Sequence, residues 1–551
     1  MAVGGAVSSA EAAELISYGP PGIKGLVRNP FIFFQACIAS TGGLLFGYDQ
    51  GVISGVQVMT NFKLEFPQLA NNATLQGWMV SVLTLGAMFG ALLNGPIADR
   101  FSRRWSILYA NVIFLLGSAI QAGSINIPML FIGRFIAGVA VGMLSMVAPL
   151  YLSEVAPPNL RGGLVALQQL AITIGIMIAF WLDYGTQHIG GTDEGQSPAA
   201  WRFPLAFQCV PSLVLAGATV VLPYSPRWLV QVGREEEARR VLIRIRRVPE
   251  SDQRINLELL DIKAATIFDR ESREAKFANV AGRVRLALYE YRELLVVPHL
   301  NRRLLISSLL QILQQFTGIN AIIYYAPTMF TSIGLSGNSV DLLATGVVGI
   351  VNFVATIPAI LYIDRLGRKK VLIIGAIGMS ISQLIVGTLY AVYKDRWAEN
   401  SGAGWAAAVF IWIYIANFAY SIGCVNWVIP SELFPPAVRS KAVGIAISLN
   451  WLTNFIVALI IPRMLKSITF GTFYFFLVFC LILLGWVVFF VPETKGVPIE
   501  GMDRLFGGNA GHEDLLRMAR IRHRLGILPL DEAKGAIGVK DVDGPCVEEK
   551  E

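Results

Sequence analysis

The sequence is dominated by apolar runs of roughly 20 residues, long enough to cross a ~30 Å hydrocarbon core as α-helices. They recur along a chain of 551 residues that is 54% hydrophobic, only 15% charged and has a mean hydropathy of +0.57. A soluble protein of this size is typically about one-quarter charged. The chain is therefore predicted to be an all-α protein embedded in a lipid bilayer.

The candidate spans form two groups of six. The first group lies near 31–55, 75–97, 105–124, 128–151, 162–184 and 202–223, and the second near 304–329, 341–363, 371–393, 405–430, 440–462 and 470–491. The stretch between the groups contains GREEEARRVLIRIRR, which predicts a short amphipathic helix at the membrane surface or in the cytosol. The expected organisation is a tail (1–30), a six-helix bundle (31–224), a helical linker (225–303), a second six-helix bundle (304–491) and a tail (492–551).

Basic residues cluster at one set of span ends, in ADRFSRRW (98–105), IDRLGRKK (363–370) and the linker. By the positive-inside rule this side is cytoplasmic, and both termini then lie there as well. The sequon at Asn72 falls on the outer side by the same count, which makes it a glycosylation candidate. We expect a monomeric integral membrane protein, located in the plasma membrane.

The two groups of spans repeat each other. SEVAPPNLR (153–161) matches SELFPPAVR (431–439), the two basic loops match, and SPRWL (225–229) and PETKG (492–496) occupy equivalent places. Parallel six-helix repeats joined by a linker are typical of a large class of secondary transporters. A simple twelve-helix scaffold would not explain three paired motifs at equivalent places.

Span seven carries Gln311, Gln314, Gln315 and Gly318 on one helical face, followed by Asn320. Lipid offers no partners to amides, so this face must point at a cavity or at another polar group. Amides donate and accept hydrogen bonds, as sugar hydroxyls require, whereas bonding between helices is the structural alternative. Three amides on one face favour a cavity.

The second group of spans carries no Lys, Arg or His in the middle of a candidate span. A site for an anionic ligand would be expected to present a fixed cation. Its absence favours a neutral polyhydroxylated ligand, although a proton-coupled carrier of a sugar acid stays open.

Asp49 in span one and Arg134 in span four are deep ionisable residues of the first group. Each costs roughly 2.5–3.5 kcal/mol at mid-membrane, so we expect the two to pair. One interpretation is a permanent ion pair that holds two helices together. The other is that Asp49 gains and loses a proton during a transport cycle.

Other classes of protein find little support. No G-x-x-x-x-G-K-[ST] loop is present to bind ATP, and the four histidines are scattered in loops (His188, His299, His512, His523). We expect neither an enzyme nor an ATP-driven pump, with no cofactor, no metal and no nucleic-acid partner. A nutrient sensor built on a transporter body is a further alternative.

Several motifs together resemble the sugar porters of the major facilitator superfamily, and most of all fungal monosaccharide porters. The resemblance covers about 30–500 and is carried by GYDQGVISG, GPIADRFSRRW, GRFIAGVAVGMLS, LYLSEVAPPNLRGG, PYSPRWL, QQFTGINAIIYYAP, IDRLGRKK, SELFPPAVRSKA, LNWLTNF and PETKG. It implies the major facilitator fold and transport of a monosaccharide by alternating access. It also implies sugar contacts from Gln169, Gln314, Gln315, Asn320, Asn352, Trp427 and Asn450, with Tyr324 closing over the site.

The resemblance also bears on coupling. In sugar porters the first and fourth helices are neighbours, and related proton symporters share the Asp49 and Arg134 arrangement. Some passive facilitators carry the aspartate too, so symport is favoured while passive facilitation and polyol transport stay open. The resemblance implies that charged residues at the cytoplasmic ends of the spans latch the inner gate, and the alternative is that they only determine topology. These residues are Asp99, Arg100, Arg103, Arg104, Glu154, Arg161, Asp364, Arg365, Arg368, Glu432 and Arg439.

Three positions depart from the family pattern. Ser102 replaces a glycine, Tyr224 replaces a glutamate, and Cys424 replaces the proline of Gly-Pro-x-x-Trp in span ten. Loss of that proline leaves the bend of span ten, and with it the substrate preference, open. Residue types alone do not separate glucose from xylose, galactose, fructose or a polyol.

Overall fold

The computed structural model describes residues 29–157, 161–277, 283–333, 335, 340–394, 396–397, 399–434, 436–494, 506 and 510–527. Within these ranges the chain is helical and contains no strand. Twelve helical segments are long and apolar enough to cross a membrane, which confirms the predicted all-α membrane architecture. Spans one to twelve are Pro30–Val56, Ala73–Phe101, Arg103–Ala122, Ile127–Val155, Gly163–Thr186, Ala199–Thr219, Pro298–Ser332, Val340–Tyr362, Arg368–Tyr393, Ser401–Pro430, Val438–Ser467 and Gly471–Phe489.

Three of the spans are broken. Span six divides into Ala199–Phe207 and Cys209–Thr219, and span seven into Pro298–Phe316 and Ile319–Ser332. Span ten changes direction at Ser421, whose backbone leaves the helical region (φ −108°, ψ −102°). Its bend therefore forms without a proline at position 424, since Ser421 provides the break three residues earlier.

A stripe of glycines brings spans one and five into close contact. Gly43, Gly47, Gly51 and Gly55 recur every four residues on one face of span one. A Cβ atom on any of the four would overlap an atom of span five. Small residues at this spacing let two membrane helices approach at backbone distance. The same device joins spans two and four, where Gly90 and Gly142 lie against the opposing backbone.

The two halves, spans one to six and seven to twelve, meet along two helix pairs: span two packs on span eleven, and span five packs on span eight. At one end of the molecule, which we call the basic end, Ser440 Oγ lies 3.4 Å from Asp99 Oδ2 across the halves. At the opposite end, Arg463 Nε donates to Thr74 Oγ1 over 2.8 Å. The halves are therefore in contact at both ends of the bundle.

Among the described residues, seven helices lie outside the spans. Two follow span one, α1 (Thr60–Glu65) and α2 (Pro67–Asn71). Four belong to the linker and one to the C-terminal region: α3 (Pro226–Gln231), α4 (Glu235–Arg246), α5 (Gln253–Phe277), α6 (Arg283–Val296) and α7 (Ala510–Arg524).

The predicted amphipathic segment of the linker forms α4. Three glutamates occupy its first turn and two arginines its last turn, which matches the helix dipole. Its apolar face packs with Trp228 and Ile255 in a small core. Arg246 pairs with Glu258 (2.5 Å) and donates to the carbonyl of Val155 (2.9 Å), so the linker is fixed to the basic end of span four.

Candidate substrate site

The break in span seven sets the geometry of the central amides. Gly318 has φ +94°, a backbone conformation that residues with a side chain rarely adopt, and a Cβ there would also overlap the ring of Phe476. The break frees the carbonyl of Thr317, which accepts a hydrogen bond from the hydroxyl of Tyr414 (2.8 Å). It also places Gln315, near the end of the first piece, opposite Asn320, at the start of the second.

Asn450 of span eleven organises these amides. Its Nδ2 donates to Gln311 Oε1 (2.7 Å) and Gln314 Oε1 (2.8 Å), and its Oδ1 accepts from Gln315 Nε2 (3.0 Å). Asn320 Nδ2 donates to Gln315 Oε1 over 2.5 Å. The amides therefore orient one another before any ligand is bound, which lowers the entropy cost of binding.

The central cavity lies between the halves and is small in this closed structure, with a volume of about 40 Å³. All of its described lining residues are uncharged. Phe46 and Gln50 of span one are among them. The lining also contains all seven residues implied as sugar contacts: Gln169, Gln314, Gln315, Asn320, Asn352, Trp427 and Asn450. Trp427 Nε1 donates to Gln169 Oε1 (2.9 Å), so the two halves touch directly in this cavity.

Tyr324 is not part of the cavity lining and lies on the side of the opposite end. Its hydroxyl accepts hydrogen bonds from Gln50 Nε2 (2.8 Å) and Asn454 Nδ2 (3.2 Å). Its backbone carbonyl accepts from Gln57 Nε2 over 2.6 Å. These bonds connect span seven to span one of the other half. Tyr324 thus lies where a side chain that closes over the cavity is expected.

Asp49 and Arg134 are both completely buried, and Asp49 Oδ1 lies 3.8 Å from Arg134 Nη1. This separation is too long for a hydrogen bond, and within the described residues neither Asp49 oxygen accepts one. Arg134 is held instead by span two, where Nε donates to the carbonyl of Met79 over 2.7 Å. The carboxyl group is thus close to a cation that has its own anchor.

At the basic end of the first half, Arg103 joins two carboxylates. Its Nη2 lies 2.9 Å from Glu154 Oε1 and 3.1 Å from Asp99 Oδ1. Arg104 donates to the carbonyl of Val220 over 2.6 Å. Arg100 does not join this cluster, because its guanidinium lies over the ring of Phe101.

The second half builds a related cluster. Arg368 Nη2 lies 2.8 Å from Glu432 Oε1, and the backbone N–H groups of Arg368 and Lys369 donate to Glu493. Arg439 Nε donates to the carbonyl of Phe434 over 3.2 Å. The side chains of Arg161, Asp364 and Arg365 lie outside the described residues.

Several polar residues took places that the sequence did not indicate. Gln311 is absent from the cavity lining, because its Nε2 donates to the carbonyl of Asn426 (3.0 Å) and its Oε1 accepts from Asn426 Nδ2 (2.6 Å). Asn426 lies in the segment of span ten that departs from the family pattern at Cys424. A polar residue in this apolar segment was the sequence feature that could have indicated its role. Asn454 of span eleven donates to the hydroxyl of Tyr324, whereas Asn417 donates to a carbonyl within span ten.

Asn72 is exposed at the opposite end, where it caps span two. Its Oδ1 accepts hydrogen bonds from the backbone N–H groups of Thr74 (3.0 Å) and Leu75 (3.2 Å). Its glycosylation stays a prediction.

Comparison with known proteins gives consistent matches over most of the chain. The family model described as "Sugar (and other) transporter" matches residues 35–506. Sugar transport protein MST8 of Oryza sativa subsp. japonica is 37% identical over 495 residues, covering 87% of this chain and 91% of that protein. A probable quinate permease of Aspergillus niger is 35% identical over 492 residues, covering 87% of this chain and 88% of the permease.

Solved structures also match. The major facilitator proton:xylose symporter XylE, bound to 6-bromo-6-deoxy-D-glucose, has a TM-score of 0.72 and 31% sequence identity, covering 87% of this chain and 99% of that one. The inward-open conformation of XylE from E. coli has a lower TM-score of 0.66, with 30% identity and coverage of 86% and 100%.

Proposed function

Because the chain belongs to the sugar transporter family of the major facilitator superfamily, we propose that it imports a neutral monosaccharide, a hexose or pentose, together with a proton. Transport proceeds by alternating access, in which the two halves open to either side in turn. Both the family and the fold are those of transporters and not of enzymes.

The observation that carries this proposal is an uncharged, amide-lined cavity beside a buried ion pair. Gln50 lines the cavity and follows Asp49 directly in span one. Amides match the donors and acceptors of sugar hydroxyls, and a cavity without charge suits a neutral ligand. Because one helix carries Asp49 and a wall of the cavity, a change in the protonation of Asp49 can reach the ligand through a single turn of helix.

Each predicted residue has a role in this proposal. Tyr324 closes the opposite end over the sugar, Asp49 binds the coupling proton, and Arg134 favours its release when the cavity reloads. The sugar is held by Gln169, Gln314, Gln315, Asn320, Asn352, Trp427 and Asn450. The two basic-end clusters latch the inner gate, and such networks bias two states where a single exposed ion pair would not.

The orientation follows from charge. The basic end, with the linker and both tails, faces the cytoplasm, so the opposite end with Asn72 faces outward. We place the protein in the plasma membrane as a monomer, with the tails and linker at the bounds predicted from the sequence.

A second candidate ligand class is the polyhydroxylated acid, because relatives include probable quinate permeases. Such an acid would need a cation or several N–H donors at its carboxylate. The described lining of the cavity offers amide N–H groups and an indole but no cation. The neutral sugar is therefore the better match.

The deciding experiment is uptake of a labelled panel (glucose, xylose, galactose, fructose, a polyol and quinate) in a transport-deficient cell, with and without a protonophore. We expect concentrative uptake of one or more neutral sugars that stops when the proton gradient collapses. Uptake that is unchanged by the protonophore would identify a passive facilitator. Uptake of quinate alone would identify an acid carrier, and the absence of any uptake would favour a sensor.

A further inference from the structure

A second carboxyl group is buried in the first half, in span five. Asp183 is completely buried, and within the described part of the chain its carboxyl group has no side-chain donor and no salt bridge and faces the backbone of Gly55. Asp49, by comparison, has the guanidinium of Arg134 at 3.8 Å. Asp183 therefore lacks the neighbour that makes a buried negative charge tolerable.

The packing around Asp183 leaves no space for water on the side of span one. Gly55, the last glycine of the stripe on span one, lies so close that a Cβ atom there would overlap the carboxyl group of Asp183. A buried carboxylate without a cation or a side-chain donor is strongly unfavourable, whereas the protonated acid is neutral and can pack against a backbone. This arrangement selects the protonated form.

The surrounding charged groups are already engaged elsewhere. In the parts of the packed helices that lie nearer the opposite end, the titratable side chains are Tyr48 and Asp49 of span one, Arg134 of span four, Arg202 of span six and Asp341 of span eight. Arg134 is anchored on span two, and Arg202 pairs with Glu65 at 2.7 Å. The hydroxyl of Tyr48 donates to the carbonyl of Pro204 over 2.8 Å. On the same segment, Tyr184 and His188 contact each other edge to face.

Asp183 also lies next to a route to water. Gln187, one helical turn further on, lines a vestibule of about 610 Å³ at the opposite end, together with Lys63, Gln196 and Asp341. A small separation of spans one and five at this end would connect the carboxyl group with the vestibule.

Span one links this contact to the gate. Gln50 and Gln57 flank Gly55 in sequence, and both donate hydrogen bonds to Tyr324 of the other half. A displacement of the outer part of span one at Gly55 would therefore pull on both bonds to Tyr324.

We propose that Asp183 is a second proton-binding site, loaded in this closed conformation, whose proton leaves to water in the vestibule as spans one and five separate and Tyr324 is released. The ligand is the proton itself. The consequence for transport rests on the proposed function, whereas the protonation of Asp183 does not.

Infrared difference spectra of the purified full-length chain, recorded between low and high pH, test the proton site without any sugar. We expect a protonated-carboxyl band that is present in the wild type and in Asp49→Asn but lost in Asp183→Asn. Asp193→Asn, an exposed aspartate ten residues further on, is the matched control and should keep the band. Identical spectra for the wild type and Asp183→Asn would overturn the proposal.

A second variant covers the case in which Asp183→Asn does not fold. Gly55→Ala forces spans one and five apart at the carboxyl group, so the band should disappear at a lower pH than in the wild type. A band with unchanged pH dependence would contradict the proposal equally.

The transport arm uses sugar exchange at zero gradient in proteoliposomes, in the Asp49→Asn background so that Asp49 does not titrate. With the same pH on both sides, exchange should fall as the pH rises, because closure requires a proton on Asp183, by up to about tenfold per pH unit for one titrating group. It should be independent of pH when Asp183→Asn is added, and a flat profile with Asp183 intact would overturn the gating role. Absence of all sugar exchange would refute the proposed function while the infrared result still stood.

Discussion

The two halves of this protein share one six-helix plan but place different chemistry at mid-membrane. Within the described residues, the first half buries Asp49 and Arg134 at mid-membrane and Asp183 nearer the opposite end, whereas Arg303, the completely buried arginine of the second half, lies at the basic end and donates to the carbonyl of Leu433. The second half instead concentrates amides around Asn450. A buried charge responds to a proton, whereas an amide keeps its donors and acceptors at any physiological pH. The difference suggests that one half responds to protons and the other recognises the sugar.

The basic ends repeat this contrast on a smaller scale. In the second half, Glu493 accepts backbone hydrogen bonds at the start of span nine, beside Gly367. In the first half, the equivalent Tyr224 accepts from Trp105 Nε1 over 3.1 Å and lies beneath the guanidinium of Arg104. The same joint is thus made by charge in one half and by aromatic contacts in the other.

The largest expected effect is that of Asp49→Asn, which should remove accumulation while leaving exchange in place. Coupling to one proton at 100 mV supplies about 2.3 kcal/mol, which is roughly 50-fold accumulation, and the neutral amide forfeits it. The measurement compares the steady-state sugar ratio with equilibrium exchange. Asp193→Asn is the exposed control, and accumulation that survives Asp49→Asn would reduce Asp49 to a structural role.

Gln315→Leu should break the recognition in the second half without touching coupling. It removes the partners of Asn320 Nδ2 and Asn450 Oδ1, and leaving buried polar groups unpaired costs about 1–3 kcal/mol. We expect roughly tenfold weaker sugar affinity with an unchanged proton-to-sugar ratio. Asn417→Ala, an amide of span ten outside the cavity, should leave affinity unchanged, and a changed ratio in Gln315→Leu would end the division of labour between the halves.

Much of this architecture is legible from the sequence. Apolar run length gives the twelve spans, and the cost of a mid-membrane charge singles out Asp49 and Arg134 as partners, which the structure brings to 3.8 Å. The helical spacing of Gln314 and Gln315 indicates a shared face, and both line the cavity. These features depend on local spacing and on solvation, which a sequence displays directly.

Other features depend on tertiary contacts. Gln311 lies on the same helical face as Gln314, but its side chain forms hydrogen bonds with Asn426. Asn426 belongs to the helical segment that follows the break of span ten at Ser421. Asp183 lies within a turn of the end of span five, where a carboxylate is ordinarily assigned to the water interface. The glycine repeat that buries Asp183 can be recognised in the sequence of span one. The sequence does not show, however, that span five is the helix packed against it.

Comparison of the two latches gives a third prediction. Glu154→Gln should weaken the closed basic end more than Glu432→Gln, because the Glu154 side chain is 8% exposed and the Glu432 side chain 24%. A hydrogen bond between charged groups contributes about 1.5–3 kcal/mol when buried, and exposure reduces an ion pair to about 1 kcal/mol or less. The readout is thermal unfolding together with KM for external sugar, and equal losses in both variants would show that the latches are equivalent.

The smallest effect concerns Ser102, which begins span three where the family pattern has glycine. Its backbone (φ +80°, ψ 157°) nearly matches that of Gly367 (φ +88°, ψ 151°) at the equivalent place in the second half. This region is essentially restricted to glycine, and other residues pay about 1–3 kcal/mol there. Ser102 recovers part of that cost because its Oγ accepts the backbone N–H of Trp105 over 3.4 Å.

Ser102→Gly should therefore stabilise the protein by about 1 kcal/mol, the strain relieved less the weak cap that is lost. Gly367→Ser is the matched reverse change. It should destabilise by more, because a Cβ at Gly367 would lie close to the carboxylate of Glu493 and disturb its backbone hydrogen bonds. Unfolding temperatures of both variants in one detergent measure the two effects. If Ser102→Gly is destabilising instead, the hydrogen bond of the serine cap outweighs the cost of the strained backbone. The two halves would then differ here in the helix cap as well as in the residue that contacts the loop, Tyr224 in one half and Glu493 in the other.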